Sequence, residues 1–222
     1  MKQLQLVLVR HGYSLGNEQH LLSGWSDVPL TDFGRQQLRQ LRLSAEYPAT
    51  EQYYSSDLCR CTETFHLLYD GRASLNGLLP QFREIYFGSL ENSRETEVSS
   101  RQFFSAWLSG QPTGDGESFE TFRTRIMNAL TSLIRCCREE KVSSVTVVTH
   151  SGVIRTLLLT LRHLEPTAFP TLSTPNGLGY ILTLDISQSQ PLLIRDEPIP
   201  VRSSLAASDP SRKKRDLQPA KG

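Results

Sequence analysis

The first apolar run, Leu4–Val9, is short, starts almost at the beginning of the chain and breaks at Arg10, which predicts a buried strand. Residues 10–30 carry Gly12, Gly16, Asn17, Gly24 and Pro29 and read as loop. Thr31 has the chemistry of a helix N-cap, and Phe33, Leu38, Leu41 and Ala45 follow at helical spacing. "EQYYSS" (51–56) predicts a second strand, after which Asp57 is placed to cap a helix through Arg60, Thr64 and Leu68. Leu75–Phe82 reads as a third strand or as irregular chain. "RQFFSAWL" predicts a short helix and "QPTGDGES" a break; Ser118 then opens a long helix through Phe122, Ile126, Leu130, Leu133 and Ile134, ending near Lys141. The β-branched run "VSSVTVVTH" is the plainest strand of all, and a helix over Ser151–Leu161 follows it. "LGYILTLDIS" and "PLLIRD" predict a strand pair across a polar turn.

Strands alternating with helices predict a three-layer α/β/α sandwich around a mostly parallel central sheet. The expected organisation is a single domain over 1–202, with 82–115 as an insertion on the substrate side. The remaining 203–222 form a basic tail, rich in Ser, Pro, Lys and Arg, that reads as flexible.

Composition narrows this picture. The net charge of +1 gives no reason to expect a nucleic acid or a membrane surface as partner. Between Ser203 and Gly222, however, five Lys/Arg face two Asp/Glu, so the basic character gathers in the tail, with "SRKKR" at 211–215. "LQLVLV" is too short for a secretory leader and no apolar run reaches membrane-spanning length, so the expected location is cytoplasmic. The four cysteines (Cys59, Cys61, Cys136 and Cys137) make no C-x-x-C pair and read as reduced, buried or half-buried thiols. The histidines lack the spacing of a zinc hydrolase, and neither a metal nor a cofactor is expected.

Ligands of parallel sheets gather at the carboxyl ends of the strands. Two predicted strands here end in histidine: "LVRHG" supplies Arg10 and His11, and "VVTHSG" supplies His150. The second runs straight into a helix, so the amides near Ser151 and Gly152 can face an anion. Arg60, early in the helix after the second strand, and Glu84, in "FREIYFGSLE", can reach the same rim. Two imidazoles, two guanidiniums, a carboxyl and a helix N-terminus suit a dianionic phosphoryl group. The aromatic set Tyr86, Phe87, Phe103, Phe104 and Trp107 reads equally as a substrate mouth or as the packing face of a helix.

The segments "LVRHGYSLGN", "LSGWSDVPLTDFGRQQ", "SSDLCRCTET", "FREIYFGSLE", "GESFETFRTRI" and "VVTHSGVIRTLL", in this order, resemble the histidine phosphatase superfamily in its phosphoglycerate-mutase-like branch, over residues 4 to about 186. The resemblance implies that His11 attacks phosphorus and becomes phosphohistidine. It implies that Arg10, Arg60 and His150 hold the phosphoryl oxygens, and that Glu84 protonates the leaving oxygen and then activates water. Asn17, Ser23, Gly24 and the amide of Ser151 match supporting contacts. Chemistry agrees: neutral imidazole attacks through one nitrogen while the other keeps its proton, a task a backbone carbonyl can set if Gly12 permits a close turn. A carboxyl that donates a proton should sit partly desolvated. Ser151, Asp115, Cys59, Cys61 and Phe65 depart from the usual family residues, at positions expected not to touch the reacting set.

The glycolytic mutases of the family carry a longer insertion and an "E-R-H-Y-G" segment, where this chain has "REIYFG" and about thirty residues between Glu84 and Gly116. The expected function is therefore a metal-independent phosphatase on a small phosphomonoester. Mutase-type transfer and a catalytically inactive phosphate-binding scaffold stand as alternatives. The resemblance allows a homo-oligomer.

Overall fold

The computed structural model describes residues 2–94, 100–111 and 114–201. The basic tail with its 211–215 cluster, and parts of the 82–115 segment, lie outside the described residues. In chain order the elements are β1 (Gln3–Arg10), α1 (Leu15–Glu18), α2 (Asp32–Ser44), β2 (Gln52–Ser55), α3 (Cys59–Tyr69), β3 (Gly77–Leu78), α4 (Ser100–Leu108), α5 (Phe119–Glu140), β4 (Ser144–Thr149), α6 (Ser151–Leu161), β5 (Gly179–Asp185) and β6 (Leu192–Pro198). Short 3-10 turns cover Pro80–Phe82, Gly88–Leu90 and Pro166–Thr171.

The sheet order is β3-β2-β4-β1-β5-β6. The first three pairings are parallel; β5 runs antiparallel to both β1 and β6, so it alone points the other way. The chain steps outward from β1 to β2 and β3, then returns through α5 to lay β4 between β1 and β2. Register pairs Arg10 with Thr149, so the next residues, His11 and His150, emerge side by side.

Burial on both faces explains the unbroken apolar run Leu6–Val9 of β1. Leu4, Leu6 and Leu8 join the core built with α5 and α6, while Val7 and Val9 face the core built with α2 and α3. That alternation is the three-layer sandwich. Each fully buried leucine of β1 contributes enough that truncation to alanine costs about 2–5 kcal/mol. The long helix α5 is capped at both ends: the Ser118 hydroxyl accepts the Thr121 N–H, and Lys141 closes the helix in the left-handed region at φ 59°.

Three local expectations change, and the stretch left open at 75–82 resolves into both of its alternatives. The 10–30 stretch contains the one-turn helix α1, held by a Ser14–Asn17 capping box. Asp57 does not cap α3; its carboxylate binds Arg83, and the free amide of Cys59 donates instead to Asp27 Oδ1 at 2.7 Å. Residues 75–82 form a two-residue edge strand followed by a 3-10 turn. Cys136 is exposed, whereas Cys61 and Cys137 are buried.

Candidate active site

The carboxyl ends of β1 and β4 open onto a cavity of about 260 Å³. Of the ten residues expected at a phosphoryl site, eight line it: Arg10, His11, Asn17, Ser23, Arg60, Glu84, Ser151 and Gly152. His150 lies behind the wall, fully buried, its ring 5.3 Å from that of His11 and edge-on to it. Gly24 also stays out of the lining; a Cβ there would stand 1.9 Å from the Ile85 carbonyl oxygen, so glycine lets the 23–26 loop seat against that backbone.

His11 is pinned from several sides. Its N–H donates to Thr149 O at 2.9 Å, and its carbonyl accepts from Asn176 Nδ2 at 3.0 Å. Nδ1 lies 2.7 Å from the carbonyl oxygen of Gly12. A carbonyl can only accept, so Nδ1 carries the proton and Nε2 carries the lone pair. Gly12 serves packing, not a special turn: a Cβ would come within 2.6 Å of Leu38 Cδ1 on α2. Its N–H donates to Thr64 Oγ1 at 2.9 Å, which ties the loop to α3.

Arg60 is buried, with Nη1 donating to Ser26 O and Nη2 to Ser23 O and Gly24 O at 2.7–3.0 Å. It thus fixes the loop that presents Ser23, whose buried hydroxyl has no hydrogen-bond partner among the described residues. Arg10 donates through Nη1 to Thr174 O at 2.6 Å, and Ser151 Oγ shares a 2.6 Å hydrogen bond with Thr174 Oγ1. Asn17 Oδ1 is taken by the Ser14 amide and hydroxyl and by Asn176.

Glu84 is half-buried. Its Oε2 accepts the Gly152 N–H at 3.0 Å and its Oε1 the Ile85 N–H at 3.1 Å. The amide at the start of α6 is therefore occupied by the carboxyl. A Cβ on residue 152 would come within 2.1 Å of Glu84 Oε1. Gly152→Ala is expected to fold, because the atom in the way ends a flexible side chain. It should lower kcat/KM for an alkyl phosphomonoester about 10- to 100-fold by displacing the carboxyl. Steady-state rates together with a thermal melt check this.

Both histidines are held neutral. Burial lowers the His11 pKa well below the ordinary 6.5, and Arg60 and then Arg10 push the same way against the Gly12 hydrogen bond. His150 is lowered likewise by burial, then by Arg60, His11, Arg10 and Arg125. Its Nε2 sits 2.9 Å from Ser56 Oγ. In the unfolded chain both return to about 6.5, so below that pH the unfolded state binds more protons. The contribution of these two groups to stability should be level above about pH 7. It should fall as the pH drops below 6.5, by up to about 1.4 kcal/mol per pH unit for each histidine until the folded values are reached. Denaturant titrations between pH 7.5 and 5.5 measure it; a flat profile would contradict two buried neutral imidazoles.

Several residues of the site lie outside the set that the sequence offers. Arg155 lines the cavity, with Nε donating to Leu172 O and the guanidinium 5.6 Å from the Phe169 ring centre. It lies four residues after Ser151 on α6, a spacing that puts both on one helix face. Leu21, Leu22 and Phe169 complete an apolar side with Ile85, Phe87 and Phe104. The aromatic set therefore divides: Phe87 and Phe104 line the cavity, and Trp107 is buried in the core with Nε1 donating to Glu117 O. Cys61 departs from expectation, since its Sγ is 3.4 Å from His150 Nε2.

Known proteins share this arrangement of strands and helices. An adenosylcobalamin/alpha-ribazole phosphatase of Salmonella typhimurium is 29% identical over 164 residues, which covers 71% of this chain and 79% of its own. Phosphoglycerate mutase-like protein 4 of Arabidopsis thaliana is 33% identical over 162 residues, 69% of each chain. The crystal structure of the alpha-ribazole phosphatase from Shigella flexneri superposes with a TM-score of 0.67 at 25% identity, over 86% of this chain and 94% of that one. The family model for the histidine phosphatase superfamily (branch 1) matches residues 6–197, and the protein is an enzyme of that superfamily.

Proposed function

We propose that the protein hydrolyses small phosphomonoesters in two in-line steps through a phosphohistidine on Nε2 of His11. The observation that carries this reading is the 2.7 Å contact from Nδ1 to Gly12 O, which commits the lone pair to Nε2 in a cavity lined by Arg10 and Arg60. Neutral imidazole is the nucleophilic form, and burial beside two guanidiniums keeps it so.

In the first step the Nε2 lone pair forms the N–P bond, the P–O bond to the leaving group breaks, and the Glu84 carboxyl proton goes to the departing oxygen. In the second, carboxylate Glu84 takes a proton from water, the water oxygen bonds to phosphorus, and the N–P bond returns its electrons to Nε2. Arg10, Arg60 and the Ser151 amide supply positive charge and donors to the phosphoryl oxygens. The Ser23 hydroxyl is a further donor, and Asn17, with Oδ1 engaged, has its Nδ2 to offer. His150 supports His11 from behind; burial, and after it the field of the arginines, keeps it neutral, and an incoming dianion opposes that field. Gly24 shapes the 23–26 loop, and Gly152 bears on the phosphoryl group through Glu84.

Hydrolysis is favoured over mutase-type transfer by the short segment between Glu84 and Gly116 and by "REIYFG" at the mouth. The 260 Å³ cavity, polar at the His11 end and apolar at Phe104 and Phe169, suits a small or medium leaving group. The test is a panel of phosphomonoesters in EDTA, with phosphate release measured beside 3-to-2-phosphoglycerate conversion. Metal-independent phosphate release is expected. Conversion faster than release would favour the mutase, and absence of both in folded protein would favour a binding role.

A further inference from the structure

The segment "GESFETFRTRI" belongs to the family resemblance, yet none of its residues lines the cavity. Two of its charged side chains grip the stretch that carries Glu84. Arg125, on α5, donates through Nη1 to the carbonyls of Gln81 and Arg83 at 2.7 and 3.0 Å, and through Nη2 to that of Glu84 at 2.9 Å. Its Nε and Nη2 also form a bidentate pair with Glu117, both at 2.7 Å. Glu117 in turn accepts the Tyr86 N–H at 3.0 Å, and its own N–H donates to Tyr86 O at 2.9 Å.

One ion pair therefore binds the backbone before, at and after Glu84. On the outer side, Trp25 Nε1 donates to the same Glu84 carbonyl at 3.0 Å, with the Arg83 and Arg125 guanidiniums 5.1 and 5.7 Å from its ring centre. The pair keeps only 18% and 11% of its side-chain surface exposed. In such a setting, five N–H groups in a planar fork satisfy several acceptors that an ammonium cannot reach together.

We propose that the Arg125–Glu117 pair is a positioning device for Glu84, holding its backbone so that the carboxyl stays on the Gly152 amide at the leaving-group end of the cavity. The inference rests on Glu84 being the proton donor. Its signature is a rate effect that depends on the leaving group, which a pair that merely anchors α5 would not produce.

Two aromatic esters that differ in leaving-group basicity separate the cases. Benzyl phosphate needs a proton on its departing alkoxide, and 2,4-dinitrophenyl phosphate does not. Arg125→Lys and Glu117→Gln are each expected to lower kcat/KM for benzyl phosphate about 10- to 100-fold, and for the dinitrophenyl ester less than about 3-fold. Competitive inhibition by inorganic phosphate should stay within about twofold. In a Glu84→Gln background, Arg125→Lys should cost no more than about a further twofold on benzyl phosphate. Equal losses on both esters, full additivity with Glu84→Gln, or unchanged benzyl phosphate turnover in a folded variant would overturn the proposal. If one variant does not fold, the other carries the same comparison; loss of folding in both would mean an anchor for the fold and would also overturn it. If Glu84→Gln alone loses both esters equally, the acid/base reading itself fails, which is a distinct result.

Discussion

Replacing His11 by alanine should lower phosphate release on the order of 10⁴-fold or more and remove covalent labelling from a radiolabelled substrate. The variant is expected to fold. Gly12 O loses the imidazole N–H but keeps the Asn176 Nδ2 donor at 3.2 Å, and the His11 backbone bond to Thr149 does not involve the side chain. His150 cannot take over, because its ring is fully buried and does not line the cavity. Wild-type label should be acid-labile and alkali-stable, as expected of a phosphoramidate. Persistent label in His11→Ala would refute the assignment of the nucleophile.

Glu84→Gln is the second large effect, and its size should depend on the substrate. The amide keeps an oxygen for the Gly152 N–H but has no proton to give. With benzyl phosphate, kcat/KM should fall about 10²- to 10⁴-fold; with 2,4-dinitrophenyl phosphate it should fall less than about tenfold. The second step loses its base whichever ester is used, so phosphoenzyme should accumulate from the dinitrophenyl ester. Phosphate binding should change little. Equal loss of turnover and of phosphate affinity would make Glu84 a structural residue. Stopped-flow measurement of dinitrophenolate beside phosphate release separates the steps.

How much of this was legible in the sequence follows from the range of the forces involved. β1 and β4 are buried on both faces, so each is a run of apolar and β-branched residues with a polar break at its end, and Arg10, His11, His150 and Ser151 stand at those breaks. The Thr31 and Ser118 caps are local hydrogen bonds and were readable for that reason. Long-range pairing left no comparable trace. Nothing near Ser144 says that β4 inserts between β1 and β2, and β5 looks like any other strand although it runs against the rest. Asp57 has the chemistry of a cap, but Arg83, 26 residues away, claims it. Thr174 and Asn176 come from an aperiodic stretch, and only the fold brings them to Arg10 and Gly12. Arg125 and Glu117 stood in a recognised motif, but the backbone they hold is not visible in one dimension.

Passage of the phosphoryl group through Nε2 of His11 is the step on which the proposed function rests. The most direct measurement is rapid acid-free quenching of the Glu84→Gln enzyme with 2,4-dinitrophenyl phosphate, followed by peptide mapping and ³¹P NMR of the trapped species. One phosphoryl group per chain is expected, on the peptide containing His11 and bonded to Nε2, because Gly12 O occupies the proton on Nδ1. A phosphoryl group on Nδ1 or on another residue would contradict the account, as would dinitrophenolate release with no burst and no trapped phosphoenzyme.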